Sequence, residues 1–127
     1  MERIVVKPSP IHGLGVFAAT RIEPGETIIE GCREVLSDEA VNALPEQEHH
    51  FLAVYDGQTV LFKTPARFVN HSCNPNARGS ARCDIAIRRI EAGEEITVDY
   101  VAEQVPGLRL ECNCHAPNCR GLLIVPV

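Results

Sequence analysis

Four cysteines carry the first chemical signal in this chain. Cys112, Cys114 and Cys119 stand in the spacing C-x-C-x4-C, while Cys73 stands far upstream in the run Asn70-His71-Ser72-Cys73-Asn74-Pro75-Asn76. Three thiols leave a structural zinc site one ligand short, and a fourth from Cys73 closes it as a tetrahedron with no coordination position left for chemistry. Such a site pins the C-terminal stretch onto the residue-70 loop, so Asn70 and His71 lie beside whatever the docked tail covers. A second solution keeps Cys73 as a small buried residue and takes His115 as the fourth ligand. Spacing does not decide between them, because the two paired knuckles of a zinc ribbon are absent. Cys32 and Cys83 sit in strand-like runs and read as ordinary core residues, neither with a partner for nucleophilic chemistry. His12, His49 and His50 read as surface residues without a role.

Two further features invite chemistry. Gly13-Leu14-Gly15-Val16-Phe17-Ala18 formally fits a dinucleotide fingerprint, but that motif needs a strand before it and a helix after it. Pro8 and Pro10 interrupt the first, and Pro24-Gly25 leaves no room for the second. What remains is a tight turn between strands, either plain or bringing its backbone close to a ligand. Tyr100 closes a strand-like run, as an edge aromatic or as a group aimed into a site.

A length of 127 residues suffices for one domain with a real core and no need of disulfides. Prolines and glycines break the first twenty residues, and no window approaches the roughly 18 apolar residues of a membrane span, so the expectation is a soluble, intracellular protein without a signal peptide. Six cysteines in that setting favour metal over disulfides, and a net charge of -5 disfavours nucleic acid and favours a basic partner.

The elements that must position these residues are short and mostly β. Strands are expected over residues 3–7, 15–19 and 26–31, and a short helix after Ser37 that stops at Pro45. A hairpin about Asp56-Gly57 joins residues 51–55 to 59–62. Residues 84–90 and 95–100 alternate with period two about the turn Glu91-Ala92-Gly93-Glu94, which predicts an antiparallel pair delivering Tyr100 at its end. Residues 104–108 read as a connector to the cysteine tail.

Four stretches, in order, resemble the motifs of SET-domain protein lysine methyltransferases with a post-SET zinc segment. They are His12-Gly13-Leu14-Gly15-Val16-Phe17-Ala18, Arg67-Phe68-Val69-Asn70-His71-Ser72-Cys73-Asn74-Pro75-Asn76-Ala77, Gly93-Glu94-Glu95-Ile96-Thr97-Val98-Asp99-Tyr100, and the tail with Cys112, Cys114 and Cys119-Arg120-Gly121. The resemblance implies a mainly β fold of small antiparallel sheets with a knot-like threading of the residue-70 segment. It implies a catalytic part over 1–107 and a zinc-binding segment over 108–127 packed on the same core. It implies S-adenosylmethionine as methyl donor, held by His12, Gly13, Leu14, Gly15, Asn70 and His71, with Tyr100 catalytic and Cys73, Cys112, Cys114 and Cys119 on structural zinc. The partner implied is a protein or peptide presenting a lysine in a basic segment, such as a histone, with no nucleic acid and no membrane.

The chain departs from the family pattern where Val101 and Ala102 follow Tyr100 in place of a second aromatic. His49-His50-Phe51 stands where a tyrosine is usual, with Phe51 or Tyr55 as substitutes. A wider lysine channel is expected, and the segment between Gly31 and Thr59 is short. The alternative from another class is a non-catalytic zinc-stapled interaction module with the same fold. A nucleic-acid-binding zinc module fits poorly with the negative charge and the absence of tryptophan.

Overall fold

The computed structural model describes residues 3–126. Its strands are β1 (Ile4–Pro8), β2 (Leu14–Ala18), β3 (Thr27–Glu30), β4 (Arg33–Leu36), β5 (Leu52–Tyr55), β6 (Gln58–Phe62), β7 (Asn70–His71), β8 (Ala77–Gly79), β9 (Cys83–Ala86), β10 (Glu95–Val98), β11 (Arg109–Glu111) and β12 (Leu122–Ile124). Among the described residues one short α-helix, α1 (Asp38–Ala43), and two 3-10 turns, Glu46–Phe51 and Ala66–Phe68, interrupt them. The strands form a four-stranded sheet in the order β1-β2-β10-β7, two three-stranded sheets, β3-β9-β8 and β4-β6-β5, and the hairpin β11-β12. Among the described residues no helix is long and apolar enough to cross a membrane.

This is the mainly β arrangement of small antiparallel sheets that the resemblance implied. One pairing is parallel: Asn70 lies opposite Thr97 and His71 opposite Val98. The loop after β7 is covered by the tail, since the Asn118 side chain donates to the Cys73 carbonyl at 2.9 Å. Chain that comes later therefore encloses the residue-70 segment on two sides.

The core follows from which strands have neighbours on both edges. β2 and β10 are central, and apart from the exposed Leu14 their apolar residues are buried, with Val16 and Ile96 fully inaccessible. Ile22 and Ile90, equally inaccessible, form an isolated bridge that ties the two flanking loops together. Each buried isoleucine side chain stabilises by roughly 1.5–3 kcal/mol, so removing one costs a large part of a small domain's stability.

Several local expectations hold. The Ser37 hydroxyl caps α1 by accepting from the Ala40 N–H at 3.1 Å. Asp56 and Gly57 both have positive φ, 51° and 78°, the type I′ geometry that closes the β5-β6 hairpin. β4, with Val35 half exposed at a sheet edge, lacks the apolar alternation that announces a strand.

One expectation is overturned. Residues 84–90 and 95–100 do not pair: β9 joins β3 and β8, whereas β10 joins β2 and β7. The reason is Asn76, whose buried side-chain amide donates to the Glu95 carbonyl at 2.8 Å and accepts from the Thr97 N–H at 2.9 Å. That amide occupies backbone groups of β10 which a hairpin partner needs. β2 then captures the turn, with Gly93 N–H donating to the Ala18 carbonyl at 2.7 Å and Ala18 N–H to Glu94 at 2.9 Å. Cys32 also departs from a core strand, standing at a left-handed corner (φ 62°) between β3 and β4 and only half-buried, as Cys83 is.

Candidate active site and zinc centre

The turn after β7 brings Cys73 under the tail, where Cys73, Cys112, Cys114 and Cys119 place their sulfurs within 4.8 Å of one another. The Cys73 and Cys112 sulfurs are 3.8 Å apart, close to the edge of a tetrahedron with Zn–S arms of about 2.3 Å. His115 stands outside this group, whose fourth thiol is that of Cys73. Backbone N–H groups face the sulfurs, Cys73 N to Cys114 Sγ at 3.5 Å and Arg120 N to Cys73 Sγ at 3.4 Å. Burial pushes the Cys73 thiol up and the Cys112 thiol up to about 12. At Cys114 burial acts the same way, but the Cys73 and Ala116 N–H groups and the neighbouring thiols bring it down to about 6. Four thiols crowded in this way cannot all ionise without a cation among them. The donor set and its spacing fit zinc.

At the other end, the glycine turn is held from behind. Asn70 Nδ2 donates to the His12 carbonyl at 3.0 Å, the Leu14 carbonyl at 3.1 Å and Glu95 Oε2 at 3.0 Å, three acceptors for two hydrogens. Glu95 also accepts from Ser9 Oγ at 2.8 Å, and Ser9 N–H donates to the Gly13 carbonyl at 2.8 Å. Gly13 has φ 45° and open space where a Cβ would point, so its backbone is what it offers. Gly15 differs: a Cβ there overlaps the Glu95 carboxylate and reaches within 2.9 Å of Ser9 Cβ. Of the residues expected to hold a cofactor, His12, Gly13 and Leu14 line the cleft, and Gly15 supports them without lining it.

Between the two ends stands Tyr100. Its hydroxyl donates to the Val69 carbonyl at 2.6 Å, and its backbone N–H donates to His71 Nδ1 at 3.0 Å. Burial, and secondarily the Glu95 charge, push the phenol well above its ordinary value, so it stays neutral. Since His71 Nδ1 accepts, the ring proton sits on Nε2, which faces Cys73 Sγ at 3.3 Å. Burial lowers His71 to about 4, which keeps the imidazole neutral, so its 3.8 Å approach to Asp99 is no ion pair. Both ring nitrogens of His71 are thereby engaged within the protein.

A cleft of about 770 Å³ connects these parts, from the residue 12–14 turn past Asn70, His71 and Tyr100 to residues 106–113 of the tail. That lies within the usual range for a site holding a drug-sized ligand. His49, His50 and Phe51, two of them read as idle, form part of the opposite wall with Phe62 and Phe68. The Arg67 guanidinium lies 4.1 Å from the Phe51 ring centre and pairs with Glu48 at 2.9 Å. Tyr55 is turned away from the cleft and donates its hydroxyl to Glu103. The floor carries Asp84 and Glu103, buried carboxylates that burial holds above their ordinary values. Asp84 is paired at 2.6 Å with an equally buried Arg33, and Glu103 also accepts from the Gly79 N–H at 3.0 Å. Sequence reasoning missed Glu95 and Asp84, because charged residues in alternating strands read as solvent-facing, and Glu103, because it stands in a turn.

A family model described as the SET domain matches residues 13–101, more than half of the chain. Histone-lysine N-methyltransferase ASHR3 of Arabidopsis thaliana is 37% identical over 140 residues, covering 96% of this chain and 28% of the relative. An H3 lysine-36 specific histone-lysine N-methyltransferase of Kluyveromyces lactis is 35% identical over 129 residues, 87% of this chain and 18% of its own length. Histone-lysine N-methyltransferase 2B of Homo sapiens is 33% identical over 147 residues, 96% of this chain and 5% of its own. The chain thus spans less than a third of the length of each of these relatives.

Proposed function

The chain belongs to the SET-domain family, and on that premise we propose that it transfers a methyl group from S-adenosylmethionine to the ε-amine of a lysine in a protein substrate. The observation that carries this reading is the convergence on one cleft of an open glycine turn, a neutral buried phenol and a tail pinned by four thiols. When bound, S-adenosylmethionine supplies an electrophilic methyl group on a sulfonium. The residue 12–14 backbone and Asn70 are assigned to hold it, with His71 contributing main chain, since its ring is already engaged. The catalytic part is assigned to 1–107 and the zinc segment to 108–127.

Methyl transfer of this kind is an in-line displacement, so alignment of donor and acceptor supplies most of the acceleration and no enzyme nucleophile is needed. The acceptor lysine must first lose its proton, whose ordinary pKa is about 10.4. A desolvated channel lowers that value by burial, and proximity to a cationic donor lowers it further. Tyr100 is too weak an acid to exist as phenolate at neutral pH and is unsuited to act as the base. With its hydrogen committed to Val69, its oxygen lone pairs face the cleft as an acceptor that orients the lysine N–H groups. Phe51, Phe62 and Phe68 supply apolar wall for the lysine stem. Glu46 and Glu111 at the rim favour a lysine set in a basic segment, and histones are the proteins that the relatives' names point to.

The second reading, a non-catalytic module, draws on the absence of an aromatic after Tyr100, where Ala102 is exposed. Incubation with labelled S-adenosylmethionine and a panel of basic proteins separates the two. Methyl transfer predicts label on lysine, and label on no protein despite measurable cofactor binding would favour the module.

A further inference from the structure

Two routes lead from the sulfur cluster to Tyr100. One is the His71 imidazole, between Cys73 Sγ and the Tyr100 N–H. The other starts at Arg120, next in the chain after Cys119, and does not touch the cleft wall. The Arg120 N–H donates to Cys73 Sγ at 3.4 Å, while its guanidinium forks onto Asp99, Nη1 to Oδ1 at 3.1 Å and Nη2 to Oδ2 at 2.5 Å. Asp99 immediately precedes Tyr100, and its Oδ1 also accepts from the N–H groups of Val101 at 3.0 Å and Ala102 at 3.5 Å. One carboxylate, on the residue before Tyr100, therefore holds the backbone just after it, and one arginine fixes that carboxylate relative to the tail.

The energy of the pair is not what distinguishes it. The Arg120 side chain is 40% exposed, and an exposed ion pair contributes little to stability. A planar two-point contact does fix orientation, which a single lysine ammonium cannot reproduce.

We propose that Arg120 is a positioning residue, registering the zinc-bound tail against the turn that carries Tyr100 and so setting where the Tyr100 hydroxyl meets the acceptor amine. Its effect on turnover rests on the methyl-transfer reading above, whereas its effect on the tyrosine itself does not. The chain has two tyrosines and no tryptophan, so ¹³C-tyrosine labelling yields two ring signals, which Tyr55→Phe assigns.

The test compares zinc-loaded wild type, Arg120→Gln and Arg120→Lys as whole chains. Both variants are expected to keep one zinc per chain and to move the Tyr100 signal toward its position after a chelator strips the wild type, with the Tyr55 signal unmoved. Turnover is expected to fall about tenfold or more while KM for S-adenosylmethionine stays within about twofold, as for a misplacement at the reacting centre. Lysine keeps the charge but not the fork and is expected to behave like glutamine. A Tyr100 signal and turnover both unchanged in Arg120→Lys overturns the proposal, and so does loss of zinc from both variants, which makes Arg120 a part of the metal site. A moved Tyr100 signal with no turnover even in wild type supports the positioning role and sinks the methyl-transfer reading instead.

Discussion

At residues 12–14 the cleft wall is backbone held by the central sheet: Asn70 and Glu95, from adjacent strands, grip the turn through hydrogen bonds that any folded copy must make. At residues 106–113 the wall belongs to a tail whose two-stranded hairpin leaves Leu110, Leu122 and Ile124 exposed, with Leu123 its one fully buried side chain among the described residues. A two-stranded hairpin is marginal by itself, so this end depends on four thiols and on Arg120. The first end is built by folding and the second, on the proposed zinc site, by a metal, and Tyr100 sits where the two must agree.

The contrast is broken most directly by removing the metal. Cys119→Ser or chelation is expected to cut turnover at least a hundredfold while the core remains folded. Structural zinc contributes on the order of 10 kcal/mol to zinc-finger peptides, and three of the four thiols here stand in the tail, outside the four-stranded sheet. Zinc stoichiometry with a urea titration of the stripped protein checks this, and a single transition in which sheet and tail unfold together contradicts it.

Gly15→Ala probes the other end. Its Cβ must displace Glu95 and Ser9, so a global loss of about 1–3 kcal/mol is expected from overpacking, with zinc retained. Gly13→Ala meets no atom and suffers only its positive φ, costing about 1 kcal/mol. Equal urea midpoints for the two variants argue against the crowding explanation.

The smallest effects lie in the pH dependence of stability. At Asp99 burial raises the carboxyl, but the Arg120 fork and the Val101 and Ala102 N–H groups outweigh it and hold the group below its ordinary value. A value depressed in the folded state contributes stability above the ordinary aspartate pKa of about 3.9, lost as pH falls through the folded value. Glu103 has the opposite sign: burial raises it, Asp84 adds to that, and the Tyr55 and Gly79 donors offset only part. Its contribution is present below about 4.3 and lost as pH rises through the raised value. Asp99→Asn is therefore expected to flatten the acid limb of the stability curve, and Glu103→Gln to raise the urea midpoint at neutral pH more than at acid pH. A lower neutral midpoint in Glu103→Gln contradicts the assigned sign.

The two ends also differ in how far the sequence reveals them. The thiol spacing, the Ser37 cap and the Asp56-Gly57 turn are local chemistry, and the structure places each as the residues imply. The pairing of β10 is not legible in the sequence because the alternation of residues 84–90 is real but says nothing of partner, and Asn76, which excludes the hairpin, is distant in the chain. Glu95, in an alternating strand, and Glu103, in a turn, were invisible for a related reason: a carboxylate in either setting looks solvated until its donors arrive from elsewhere. The segment after Gly31 also holds β4, which extends the expected hairpin into a sheet, and a 3-10 turn, Glu46–Phe51, whose His49 and Phe51 line the cleft.

The central claim, that the neutral Tyr100 hydroxyl works on a lysine at the junction of the two ends, is tested most directly by Tyr100→Phe. The ring and its packing against His71 remain, at a centroid separation of 5.4 Å, and the hydrogen bond to Val69 is lost. With a lysine substrate that the wild type labels, the account predicts turnover lower by on the order of a hundredfold, with zinc content and S-adenosylmethionine affinity unchanged. Near-normal turnover in Tyr100→Phe would contradict it.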